Sequence, residues 1–260
     1  MKIDDLKLRL YRWLAKHLSG ERAERYARKV RRRTIRPPVV EGKNNVFELF
    51  RDGRPVTLAE LIGIENTNIR IRGSNNRIRL HVDQLLAGRS SLNVDIDGND
   101  NEIDFAEKVQ GSWSITMIGG NNKFSVGFDT ACGDVCATLH GNEVRIGAGC
   151  MISSAIEIWT DGHSLIDPET GRCLNVPKAP VIVGDKVWLG RKVTLMKGAQ
   201  IPTGSIVGLG SIVTKAFDEP NVAIAGVPAR IVKRGITWDG RRPVEYDRLW
   251  RSEHGEQAVD

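Results

Sequence analysis

The chain has 260 residues, 40% hydrophobic and 27% charged, which suits one soluble domain with a sizeable core, alone or with a short appendage. It holds no run of about 18 apolar residues and no basic start leading into an apolar stretch, so neither a spanning helix nor classical secretion is expected. The net charge of +6 suits a phosphate-bearing ligand or an anionic membrane without implying nucleic acid. Four cysteines (Cys132, Cys136, Cys150, Cys173) are too sparse for a disulfide framework, so a reducing cytoplasm is the expected setting. Twenty-seven glycines beside 6% aromatics predict many tight turns rather than a bulky aromatic core.

Residues 1–36 stand apart from the rest. Leu6, Leu10, Trp13, Leu14 and Leu18 follow a helical rhythm, and the arginine-dense ERAERYARKVRRR ends at Pro37-Pro38. Two readings of this basic amphipathic arm are open: a helix packed on its own domain or a neighbouring subunit, and a peripheral contact with an anionic membrane.

From about residue 41 the chain repeats. GKNNVFEL from Gly42, ENTNIRI from Glu65, GSNNRIRL from Gly73, GNDNEIDF from Gly98, GGNNKFSV from Gly119 and HGNEVRI from His140 each read as a turn followed by a strand of period two. A repeat of this length predicts a solenoid, with one turn per coil and asparagines stacked as a hydrogen-bonding ladder.

The period then tightens to six. Val183, Leu189, Leu195, Ile201, Val207 and Val213 are evenly spaced, and Ile146, Ile152 and Ile158 form a shorter copy. Val187, Val193, Ala199, Ser205 and Ser211 follow the first five at a fixed offset. Every sixth residue then points into a narrow core, and the small residue near each corner lets the chain turn. Residues 164–181 break the phase with Pro168, Gly171, Pro177 and Pro180, and read as a loop leaving the coil.

The motifs IGAGCMISS (146–154), TDGHSL (160–165), VIVGDKVWLGRKV (181–193), IVGLGSIVTK (206–215) and AIAGVPARIVK (223–233) together resemble the hexapeptide-repeat acyltransferases. Their order is most like that of bacterial polysaccharide and sugar O-acetyltransferases. The resemblance implies an all-β fold, a left-handed parallel β-helix solenoid, although general crossover rules favour the right hand. It also implies homotrimers with sites between subunits, and acetyl-CoA as acyl donor without a metal. The expected organisation is a helical arm at 1–36, a β-helix at 41–235 with an excursion loop at 164–181, and a short C-terminal tail at 236–260.

A sugar hydroxyl needs a general base as it attacks a thioester, and neutral histidine suits that task. Among five histidines, His163 in TDGHSL occupies the position of the family's catalytic histidine. Asp161, two residues away on an extended strand, could orient it, with Glu157 and Glu143 as rivals. Counting an 18-residue coil with seven extra loop residues places Trp188 over His163, where the resemblance puts an acyl- or acceptor-site tryptophan. Glu157 joins it as a candidate substrate-binding residue. Gly190, Gly208 and Gly210 would let the coenzyme arm lie against backbone. Lys215, Arg230, Lys233 and Arg234 supply charge where the family places the nucleotide, although a charge run is often only a solvated face. Cys136 and Cys150 are expected to fill the core, and the lone CGDVC pair does not make a zinc site.

The function that follows is an acetyl-CoA-dependent O-acetyltransferase acting on a sugar or bacterial polysaccharide hydroxyl. N-acetylation of an amino sugar or nucleotide sugar would share the coenzyme groove and differ only in the acceptor pocket. A non-catalytic β-helix that binds glycan or scaffolds a membrane assembly is the different-class alternative.

Overall fold

The structure is a computed structural model describing residues 38–57, 67–85, 90–176 and 178–254. The arm expected at 1–36 lies outside the described residues. Parallel strands dominate and stack coil upon coil. Along one column Arg70 pairs with Asp95, Asp95 with Thr116, Thr116 with Thr138, Thr138 with Trp159 and Trp159 with Met196. The steps are therefore 25, 21, 22, 21 and 37 residues, and the next pair, Leu195 with Val213, settles at 18.

The six-residue ladder is the core of the narrow coils. Ile152, Leu189 and Val207 line one face, and Ile158, Leu195 and Val213 the second. Ile146, Val183 and Ile201 line the third, and all nine are buried. The small corner residues behave as the spacing predicts. Ser211 donates to the Gly208 carbonyl of its own turn at 2.7 Å and accepts from the Gly226 amide of the following chain at 3.1 Å, so its buried hydroxyl is satisfied.

The wide coils close differently. Their corners carry an asparagine ladder through Asn45, Asn76, Asn101, Asn122 and Asn142, buried from Asn76 onward. Asn101 Nδ2 donates to Asn76 Oδ1 at 2.9 Å, and Asn122 Nδ2 to Asn101 Oδ1 at 2.8 Å. The backbone amides of Asn76, Asn101, Asn122 and Asn142 donate to the side chain of the preceding rung at 2.9–3.1 Å. Each side chain thus satisfies buried groups on two coils at once. Gly98 (φ +153°) shows how closely the coils approach, since a Cβ there would lie 1.9 Å from the Gly119 carbonyl oxygen.

Two sequence-based expectations change. The wide coils do contain an aromatic core: Phe105, Trp113 and Phe124 are buried with ring centroids 5.2–6.1 Å apart. A longer coil encloses more volume than aliphatic side chains fill. Cys136 faces outward rather than into the core, because it lies between the inward Val135 and Ala137 on a strand of period two. The C-terminal elements follow the expected bounds of the solenoid and tail. The hairpin Val222–Gly226 and Ala229–Arg234 closes the last coil, and a helix, Pro243–His254, follows.

Candidate active site

His163 lies just past the strand Ile156–Trp159, at the corner where the chain leaves the stack. It is exposed and borders a cleft of about 340 Å³ whose walls include Trp159, Leu165 and Met196. No hydrogen bond to its imidazole occurs among the described residues. Its backbone is held instead: Asn175 Nδ2 donates to the His163 carbonyl at 3.1 Å, and Asn175 Oδ1 accepts from the Leu165 amide at 2.9 Å.

Asp161 lines the same cleft, but its oxygens are engaged elsewhere. Oδ2 pairs with Lys197 Nζ at 2.7 Å, while Oδ1 accepts from Asn175 Nδ2 at 2.9 Å and from the Gly162 amide at 2.9 Å. Partial burial pushes this carboxyl up, but the Lys197 bond, the Gly162 amide, the lysine charge and Asn175 outweigh it, leaving the pKa below the ordinary value. Lys197 also donates to the Asn175 carbonyl at 2.5 Å and ties the coil to the excursion loop. Sequence reasoning missed both Lys197 and Asn175. Lys197 meets Asp161 across 36 residues, a distance in sequence that depends on the length of the excursion.

The rival carboxylates lie elsewhere. Glu143 is held by Arg145, and Glu157 stands beside Cys136 and Thr194 on the outer face of the second stack. Trp188 is displaced from its expected place. It pairs with Met151 below and Ile206 above, on the first face, so the step across the excursion is 37 residues and not 25. The loop removes more chain from the stack than its broken phase suggests. Within one chain, Trp188 and His163 therefore belong to different faces of the prism. Trp188 borders a second concavity of about 670 Å³ instead.

The expected coenzyme residues are also divided. Gly190, Gly208 and Gly210 follow the first face. A Cβ on Gly190 would meet Leu209 N at 2.7 Å, so the neighbouring coil alone explains that glycine; Gly210 (φ +71°) faces open space. Lys215 lies one coil beyond Lys197, on the corner that carries His163, with its ammonium 5.3 Å from the Phe217 ring. Arg230 and Lys233 are exposed on the terminal hairpin, where Arg234 pairs with Glu219.

Burial pushes the Cys132 thiol up to about 12 and the Cys150 thiol up to about 11, opposite to what a thiolate nucleophile needs. Among the described residues no three His, Cys, Asp or Glu side chains gather as a metal set, and no helix is long and apolar enough to cross a membrane.

No family model matches the chain. The polysialic acid O-acetyltransferase of Neisseria meningitidis is 33% identical over 178 residues, covering 68% of this chain and 80% of that protein. The chain belongs to the hexapeptide-repeat O-acetyltransferases. A polysialic acid O-acetyltransferase of Escherichia coli O1:K1 is 35% identical over 127 residues, 48% of this chain and 38% of that longer relative. Among solved structures, the polysialic acid O-acetyltransferase OatWY superposes with a TM-score of 0.67 at 27% identity, covering 83% of this chain and 98% of that one. The polysialic-acid-specific acetyltransferase NeuO gives 0.65 at 26%, covering 84% and 96%. As an O-acetyltransferase of this family, the protein is an acyl-transfer enzyme on a parallel β-solenoid.

Proposed function

We propose that this enzyme transfers an acetyl group from acetyl-CoA to a hydroxyl of an acidic bacterial polysaccharide, polysialic acid being the acceptor to test first. The observation that carries the reading is the 33% identity extending over 80% of the Neisseria meningitidis polysialic acid O-acetyltransferase. The exposed His163 ring, beside a cleft and without a hydrogen bond among the described residues, supports its role as general base. An imidazole nitrogen takes the proton of the sugar hydroxyl as its oxygen attacks the thioester carbonyl. The tetrahedral intermediate then collapses, the C–S bond breaks, and the imidazolium returns the proton to the departing coenzyme sulfur.

Asp161 acts through the backbone in this reading. With Lys197 and Asn175 it fixes the strand end and loop that carry His163, rather than touching the imidazole. Trp188 reaches a histidine only if a second copy supplies it, which is the reason for favouring a homotrimer with sites between subunits. Lys215, on the His163 corner, and the exposed Arg230 and Lys233 would meet coenzyme phosphates. The place of action proposed is the cytoplasm, with residues 1–36 either packing on the protein or touching the inner face of the membrane.

The test is to incubate the full chain with acetyl-labelled acetyl-CoA and a panel of glycans that includes polysialic acid, neutral polysaccharides and free amino sugars. Label in an alkali-labile ester on the acidic polymer is the expected result. Label confined to free amino sugars would replace O-acetylation by N-acetylation, and label in no acceptor would leave a binding role.

A further inference from the structure

The solenoid's first face would be open at Trp188 if the chain ended with the terminal hairpin. Instead residues 236–246 fold back across it. The Ile236 amide donates to the Asn221 carbonyl at 2.9 Å, and Trp238 Nε1 donates to the Lys186 carbonyl at 2.6 Å. Gly240 crosses directly over Met151, whose Cε would lie 3.1 Å from any Cβ at that position. Arg241 grips Asp239 through Nε at 2.7 Å and Nη2 at 3.0 Å and places its guanidinium 5.0 Å from the Tyr246 ring. The strap is thus tied to the coil at several points, and the concavity it walls off measures about 670 Å³.

The chemistry of those walls is selective. Trp188 and Trp238 lie 6.4 Å apart with their planes at 51°, and Tyr246 stands beside them. Trp188 is 38% and Tyr246 43% exposed, so both still offer ring surface to a ligand. Rings at that angle make a wedge for a puckered ring with C–H faces, whereas a planar base fits best between parallel planes. Arg241 is matched by Asp239, but Nη1 has no partner among the described residues. Lys186 has no carboxylate within 4 Å among them, which leaves the lining with one positive charge in excess. One excess cation beside aromatic rings matches the single charge of one carboxylate per sugar.

We infer that the strap residues Trp238, Tyr246 and Arg241, together with Lys186 and Trp188, form a subsite that holds an acidic sugar of the acceptor polysaccharide. The inference rests on the acceptor class proposed above and assigns it a location. The wedge stacks on the sugar ring, Lys186 and Arg241 Nη1 meet its carboxylate, and the chain is thereby registered beside the acyl-transfer site.

Calorimetric titration of the full chain with a short sialic acid oligomer, and separately with acetyl-CoA, tests it. Trp238→Ala is expected to weaken oligomer binding about tenfold, as the loss of one stacked ring should. Its affinity for acetyl-CoA should be that of the wild type, and Trp238→Phe, which keeps a ring but gives up the Nε1 bond to Lys186, should recover part of the loss. Lys186→Gln should weaken the acidic oligomer severalfold and leave a carboxyl-reduced oligomer unaffected. Undiminished oligomer binding by Trp238→Ala would overturn the subsite, and so would a loss confined to acetyl-CoA, which would give the wedge to the coenzyme. Wild-type protein that binds the oligomer but does not acetylate it would break the proposed acceptor and leave the subsite standing.

Discussion

Up to Asn142 the coils step 20 to 31 residues and include strands as long as Ala131–His140, whereas from Val181 to Val213 they step 18 and use strands of two or three residues. The wide coils enclose Phe105, Trp113 and Phe124 and tie their corners with buried asparagines. The narrow coils enclose Val, Leu and Ile and turn on Ser205 and Ser211. A wide corner is tied to the adjacent coil by a side-chain amide, whereas in a narrow corner the shorter serine hydroxyl suffices, Ser205 and Ser211 accepting from the Val222 and Gly226 amides of the following chain. His163 sits at the junction, where one coil of 37 residues releases a loop before the period of 18 begins. The residue proposed as the base therefore lies at the boundary between two kinds of coil.

Substitutions can break that division. Trp113→Ala empties the largest side chain from the wide core and should cost about 4 kcal/mol. Asn101→Ala strands the buried Asn122 amide and removes the shorter of two side-chain bonds to the Gly119 carbonyl, and should cost about 3 kcal/mol. Denaturant melting checks both, and the fraction that remains folded should keep wild-type kcat. A kcat that falls with stability would show that the wide coils act on the site. Lys197→Met should do the reverse, lowering kcat about tenfold with a stability change under about 1 kcal/mol. Lys197→Arg should restore most of the rate, because a cation again bridges Asp161 and Asn175; equal losses in kcat and stability would make Lys197 merely structural.

The smallest effect lies in acid. The Asp161 carboxyl titrates below its ordinary value, so its contribution is complete above about pH 4 and fades as pH falls through the lowered folded-state value. Asp161→Asn should therefore remove a difference of under about 1 kcal/mol near neutrality and match the wild type at the acid end. A difference that persists into acid would detach the Lys197 pair from the charge on Asp161.

The repeating parts of this fold were legible because period carries their physics. Six-residue spacing alone reports which side chains face a narrow core, and Gly-Asn turns report the corners where the ladder forms. Non-repeating parts were not. Trp188 was misplaced because a broken phase marks an excursion without measuring it, and Lys197 was invisible because its partner depends on that same length. Cys136 was assigned to the core by residue type, although alternation around Val135 and Ala137 already turned it outward. In the C-terminal segment, Trp238 and Tyr246 acquire meaning only once the strap is seen to cross Trp188.

The most direct measurement compares wild type and His163→Ala for acetyl transfer from acetyl-CoA to polysialic acid, with melting temperature and acetyl-CoA affinity read on the same samples. If His163 is the base, transfer falls by about three orders of magnitude while both other readings stay at wild-type values. Transfer within a few-fold of wild type would mean that another group takes the hydroxyl proton and that the cleft beside Lys197 is not where the chemistry occurs.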